Sequence, residues 1–332
     1  MIWLTWRQHR AVLAVTSAFV VALIVWMLIV EHSYSETLHA ISRSCPSGLL
    51  YSDTGPCNGL YSQQASAWEQ ADFIRYLILA LPLVFGALLG APLFAGEFER
   101  KTVLLAFTQG ISRTRWMVIR WIFVALAVLA LASAFALLAN WWFGKVPTNG
   151  SSFGLRIEPG SFDITGMVPV AYALFGFALG AALGMVLRRT ARAIFGTVVL
   201  FVVVRAFVEH YVRPYLAARS FLPDSAVAYG GGANMVVGQA NVSWYLGSGY
   251  RVAPGSGHPT SQAYLNHVFD VCGSPYGANW GSCVTNHGVQ FGTFYQPSSH
   301  YWALQWGETT AFVVAAGVLF GVALWSVRRW RA

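Results

Sequence analysis

The chain has 332 residues, of which 56% are hydrophobic and only 10% charged, with a formal net charge of +8. A water-soluble domain carries roughly a quarter charged residues, so this chain lacks the charge to cover its own surface in water, and its length counts membrane spans rather than globular domains. The positive residues cluster beside apolar runs, a pattern of topology and anionic-lipid contact that argues against a nucleic-acid partner.

In chain order, the segment Met1–Arg10 is short and amphipathic, with Ile2, Trp3 and Trp6 set against Arg7 and Arg10. It reads as an interfacial elbow helix leading into the first span. Ala11 to Val30 is uncharged and long enough to cross roughly 30 Å of hydrocarbon. No small-x-small cleavage site follows it, so it is expected to remain as an anchor rather than leave as a signal peptide. A polar stretch, 31–75, contains Cys45 and Cys57, and the second span follows over 76–96. Residues 97–120 are charged and amphipathic and lead into the third span, 121–144. A Gly/Ser/Pro-rich loop, 145–163, separates this from the fourth span, 164–187. A short basic turn, Arg188 to Arg192, precedes the fifth, 193–212. The long polar segment 213–303 holds Cys272 and Cys283, and the last span, 307–327, runs into Arg328 and Arg329. The fold class expected is an all-α integral membrane protein of six helices, forming one transmembrane domain over 1–332.

Arg and Lys set the orientation. Thirteen of them, including Arg7, Arg100, Lys101, Arg120, Arg188 and Arg328, crowd short segments on one side. Those on the other side are spread thinly over long loops, so both termini are expected in the cytoplasm. The four cysteines then fall outside, where disulfides form. Local pairs, Cys45 with Cys57 and Cys272 with Cys283, are favoured over a metal site because neither pair has Cys-x-x-Cys spacing. Crossed pairings between the two loops remain open.

Four features carry functional weight. The segment from Gly96 to Trp116 opens with Glu97, Glu99, Arg100 and Lys101, continues with an apolar patch ending at Phe107, and breaks at Gln109-Gly110. It reads as a short helix on the cytoplasmic face, with Ser112 placed to cap the helix that follows. Gly86 and Gly90 in the second span and Gly176, Gly180 and Gly184 in the fourth recur four apart, a spacing that lets helices approach closely in lipid. Arg205 and Glu209 share a helical face in an apolar run, and Glu308 opens the last span. Ionisable groups at membrane depth either line a substrate path or form structural pairs, and both readings stand for these three. Finally, His258, His267, His287 and His300 are scattered without metal-ligand spacing, and no serine-nucleophile elbow or phosphate-binding Gly-x-x-x-x-Gly-Lys-Ser/Thr loop occurs.

Three stretches resemble the membrane subunit of ATP-binding-cassette type-2 exporters of the actinobacterial kind: Leu4 to Arg10; Gly90 to Arg100 with Ala106 to Trp116; and Gln305-Trp-Gly-Glu308 followed by an apolar span and Arg328-Arg329. The resemblance implies a plasma-membrane permease without its own ATPase. It would pair with a second permease copy or paralogue and with separate ATPase subunits that bind ATP and Mg. It also implies that Glu97, Glu99, Arg100, Lys101, Phe107 and Gln109 belong to the coupling helix that docks on the ATPase. No cofactor is expected on the chain itself, and membrane lipid is an expected partner. The rival reading is a membrane-anchored enzyme or sensor acting through the outer loops.

Overall fold

The computed structural model describes residues 2–45, 56–100, 112–145, 156–223, 243–273, 277 and 279–329. Contacts divide the chain into two compact units, Met1–His210 with Gln305–Ala332, and Tyr211–Leu304.

The first unit is helical. α1 runs Ile2–Ser44 as one helix of 43 residues, so the segment expected to form an elbow is helical and continuous with the first span. At 1.5 Å per residue it is roughly 65 Å long, about twice the hydrocarbon thickness. α2 spans Pro56–Val84 and passes through a π turn, Phe85–Gly90, into α3, Ala91–Glu99. The stretch expected as a polar loop over 31–75 is therefore largely a helical hairpin, closed at its tip by the Cys45–Cys57 disulfide with Cα atoms 5.9 Å apart. Hydropathy marks where lipid lies and carries no information on where a helix stops. Polar residues such as Thr37 and Gln64 continue the helices because Tyr34, Ala67 and Ala71 beside them are buried.

α4 is Arg113–Phe143, with the Ser112 side chain accepting from the Arg115 N–H at 3.3 Å, the cap anticipated from the sequence. A single helical turn, Pro159–Phe162, leads to α5, Val168–Leu187. Arg188 ends α5 in the left-handed region, at φ 53°, and α6 follows as Thr190–Phe207, passing into a second π turn over Val208–Val212. α9, Tyr301–Arg329, ends the described chain.

Among the described residues six helical segments are long and apolar enough to cross a membrane, at the six places expected. One core joins α1, α2, α4, α5 and α9, with Met27, Ile74, Trp116, Phe177 and Ala323 buried in it. The outer faces of α1, α4, α6 and α9 carry Val21, Ile29, Leu126, Leu137, Phe195, Val203, Val318 and Val322 exposed, a surface suited to lipid rather than water.

The tightest helix packing is made by glycine. A Cβ built on Gly86 would lie 2.5 Å from the Gly176 carbonyl oxygen, and one on Gly176 would lie 2.5 Å from that of Pro82. Gly90 stands equally close to the Phe177 carbonyl. Only a residue without a side chain permits backbones to meet at this range. The π turn lies within this contact. Pro92 lacks an N–H and its ring would clash with the carbonyl four residues back, so the helix widens there instead of breaking.

The second unit adds structure that hydropathy did not reveal. Strands β1, Ser220–Pro223, β2, Ser243–Val252, and β3, Val289–Pro297, form an antiparallel sheet in the order β1-β3-β2. Phe221 faces Phe294 and Tyr250 faces Phe291 across it, aromatic pairs that stabilise strands. Two helices, α7, Gln262–Cys272, and α8, Trp280–Asn286, are joined by the Cys272–Cys283 disulfide. Val252, Val268, Trp280, Val284 and Val289 make a small core of their own.

Candidate functional site: the end of α3 and a buried polar network

Two places in the helical unit bring together polar residues from helices far apart in sequence. The first is the end of α3. Glu97 forms an ion pair at 2.8 Å with Arg120 of α4, whose side chain is 3% exposed. The Arg120 guanidinium also lies over the Trp116 ring. Two residues on, the Glu99 carboxylate accepts from the Thr190 N–H at 3.0 Å and from the Thr190 hydroxyl at 2.7 Å. Thr190 is the first residue of α6, so Glu99 occupies one of the orphan backbone donors at that helix start and sits where the helix dipole favours negative charge. Arg188, in the two-residue turn before it, lies over the Phe98 ring at 5.4 Å. The last turn of α3 is thus tied to α4 on one side and to the α5–α6 turn on the other.

The second place is a buried network between the helices. Arg205 of α6 pairs with Asp163 at 2.5 Å and donates to the Leu79 carbonyl of α2 at 3.1 Å. Its guanidinium lies 4.9 Å from the centre of the Tyr172 ring. The Tyr172 hydroxyl reaches Asp163 at 3.0 Å and is also hydrogen-bonded to Glu308 of α9. Asp163, Tyr172 and Glu308 are all at most 5% exposed. Beside them, Gln305 is wholly buried. It accepts from the Met167 and Val168 N–H groups at 2.9 and 3.0 Å and donates to the Phe162 and Thr165 carbonyls, each at 3.1 Å. These four bonds engage both ends of its amide and serve backbone groups at the start of α5 that have no helical partner. Asn140 of α4 adds a bond to the Gly166 N–H at 2.9 Å. The network thus joins α2, α4, α5, α6 and α9 through polar contacts in a mostly apolar interior.

Of the residues singled out from the sequence, Glu97, Glu99 and Arg100 lie together at the end of α3, while Lys101, Phe107 and Gln109 lie outside the described residues. Arg205 and Glu308 meet in the buried network through Tyr172 and Asp163. Glu209, expected one turn from Arg205, falls in the π turn after α6. Cys45, Cys57, Cys272 and Cys283 form the two local disulfides. Cys272 and Cys283 also stand close to His287, but their sulfurs are bonded to each other and present no thiolate to a cation. Sequence reasoning missed Asp163, Tyr172, Gln305, Arg120 and Thr190 as site residues. Asp163 and Gln305 did leave a signal, each being polar at the edge of an apolar run. Tyr172 and Thr190 left none, since their partners are 136 and 91 residues away.

Comparison with known families decides the relationship. The family model for ABC-2 membrane transporter related proteins matches residues 17–213, more than half of the chain. The chain belongs to this ABC-2 membrane transporter related family. No curated protein and no solved structure matches it. The matched region of this ABC-2 family member includes the end of α3, the glycine contact and three of the network residues, Asp163, Tyr172 and Arg205. It stops before β1, so most of the Tyr211–Leu304 unit and Glu308 lie beyond it.

Proposed function

We propose that this chain is the permease subunit of an ATP-driven exporter, moving a small molecule, drug or lipid-like substrate across the plasma membrane by alternating access. Separate ATPase subunits bind ATP and Mg and supply the energy, and a second permease copy or paralogue completes the pathway within membrane lipid. Both termini face the cytoplasm, and the cysteine-bearing segments face the oxidising side. The observation that carries this reading is the anchoring of the α3 end. Glu97 and Glu99 engage Arg120 and Thr190, so a displacement of the segment from Glu97 to Gln109 by a docked ATPase would be transmitted to α4 and α6 together. On this account the two glutamates act as transmission links within the permease, and the docking surface itself includes Lys101, Phe107 and Gln109.

The test is a double variant, Glu97→Ala with Glu99→Ala, reconstituted with the ATPase subunits it purifies with. The expected result is a retained ATPase partner with loss of substrate-stimulated hydrolysis. Stimulation equal to that of the wild type would refute the link.

A second reading has one observation in its favour. The Tyr211–Leu304 unit has its own core and disulfide and lies almost wholly beyond the matched region. It would then serve as a binding or sensing module, and transport that survives its replacement by a short linker would favour that role.

A further inference from the structure

Between α1 and α4 the helical unit carries a groove of about 580 Å³. Ala14 and Ser17 of α1 line one side, Ala127, Ala130 and Leu131 of α4 line the other, and Arg10 stands at its end. Alanine and serine at these positions leave a space that larger side chains would fill. The volume is that of a small-molecule pocket. Val15 and Leu126, the chain neighbours of the two walls, are exposed, so the groove opens onto the surface turned to lipid. We propose that this groove is a binding site for one anionic phospholipid, with an acyl chain lying between α1 and α4 and the headgroup phosphate on Arg10.

The occupant follows from depth and charge. The Trp142 indole N–H donates to the Met27 carbonyl at 3.0 Å, so α1 and α4 run side by side in the same direction, with residues 10–17 beside 127–131. From Arg10 to Met27 the helix rises about 25 Å, most of the roughly 30 Å of hydrocarbon. Arg10 is also the last charge before the uncharged run 11–30. It therefore stands where hydrocarbon gives way to headgroups, and the groove leads from it about 10 Å into apolar depth. Among the described residues the Arg10 side chain is exposed and makes no ion pair, hydrogen bond or ring contact. A guanidinium at this level is stabilised by an anion, and its planar fork matches a phosphate. A ligand that answers both the charge and the groove has a negative head and an apolar tail. A free phosphate would leave the groove empty. Neither α1 before Glu31 nor α4 carries an acid, so a second copy packed by the same face would leave Arg10 without a counter-ion. A zwitterionic headgroup brings its own cation to compete with Arg10, which favours the anionic lipid.

The site has a structural consequence. A bound acyl chain bridges α1 and α4 along a stretch where their own side chains leave a gap. α4 also carries Arg120, the partner of Glu97, so the lipid rests on the helix to which the end of α3 is tied. The inference concerns the chain and its membrane alone, and it would stand even if the transport reading failed.

The test is photolabelling of the purified full-length chain in phosphatidylcholine nanodiscs. Two probes are compared at the same low mole fraction, phosphatidylglycerol and phosphatidylcholine, with identical acyl chains that carry a diazirine near the glycerol end. The carbene formed on irradiation inserts into C–H bonds, so alanine and leucine are captured, and mass spectrometry of peptides locates the adducts. The expected result is adducts at 14–17 and 127–131, roughly fivefold more with phosphatidylglycerol than with phosphatidylcholine. Arg10→Gln should abolish that preference. Ala14→Leu, which fills the groove and keeps Arg10, should lower capture of both probes. The comparison of the two probes uses the unaltered protein, so the inference can be refuted even if a variant fails to fold. Equal labelling by the two probes in the wild type, or a preference that survives Arg10→Gln, would overturn it. No labelling of either wall by either probe would mean that protein covers the groove, and would overturn it equally. Because no ATPase is present, a failure here is distinct from a failure of the permease reading.

Discussion

Substituting Gly86 by alanine should separate α2 from α5, and the size of the effect follows from the backbone. The new methyl would lie 2.5 Å from the Gly176 carbonyl oxygen, 2.8 Å from the carbonyl carbon and 3.1 Å from the Thr197 methyl. A close carbon–oxygen contact relaxes at about 3.3 Å, so the two helices must part by roughly 0.8 Å. Neither clashing carbonyl atom can swing away as a side chain would. A gap of that size forfeits about a quarter to a half of each dispersion contact along the interface. Overpacking of a close-packed core costs about 1–3 kcal/mol, and two immovable backbones argue for the upper end. About 3 kcal/mol corresponds to roughly a hundredfold in the folded-to-unfolded ratio. The control is Gly317→Ala on α9, where nothing lies within 4 Å of the added Cβ. There, alanine is expected to be neutral or to stabilise the helix by up to about 1 kcal/mol. Thermal unfolding in detergent, followed by tryptophan fluorescence, compares the two directly. A Gly86→Ala protein as stable as Gly317→Ala would refute the claim that glycine sets this contact.

Other consequences are open to measurement. Arg205→Met removes the cation paired with buried Asp163 and should destabilise by about 3–5 kcal/mol, and adding Asp163→Asn should recover much of that loss in the same melting assay. Glu99→Ala removes the acceptor at the start of α6 and should raise hydrogen exchange at Thr190 and the amides just after it, while α4 exchange stays unchanged. Cys272→Ser should expose one labelling-competent thiol at Cys283 and lower the stability of the Tyr211–Leu304 unit by about 3 kcal/mol or a little less. Labelling at Cys45 or Cys57 in that variant would contradict the local pairing.

Much of this arrangement was legible in the sequence because lipid imposes a strong constraint. Six predominantly apolar runs had to be helices, as no other open structure satisfies the backbone in hydrocarbon. The glycine spacing implied close helix contact, and the close spacing of the cysteines within each polar segment favoured local bridges. The ends of the helices were not legible. α1 continues to Ser44, well past the last apolar residue of its run, because it is held there by α2 rather than by lipid. The sheet of Tyr211–Leu304 also escaped notice. β1 has only four residues, and its partner β3 lies some seventy residues downstream. The buried network was half visible. Arg205 and Glu308 stood out as charges in apolar runs, but Asp163 and Tyr172, which connect them, are ordinary residues until the fold brings them together.

The function proposed for this chain is that of a permease driven by a separate ATPase through the end of α3. Its most direct test is purification of the tagged chain from native membranes in mild detergent, with ATP hydrolysis measured on the eluate for the wild type and for the Glu97→Ala, Glu99→Ala variant. The account predicts a stoichiometric ATPase partner in both, with hydrolysis that responds to the permease in the wild type and no longer responds in the variant. A chain that purifies alone and hydrolyses nothing would contradict it.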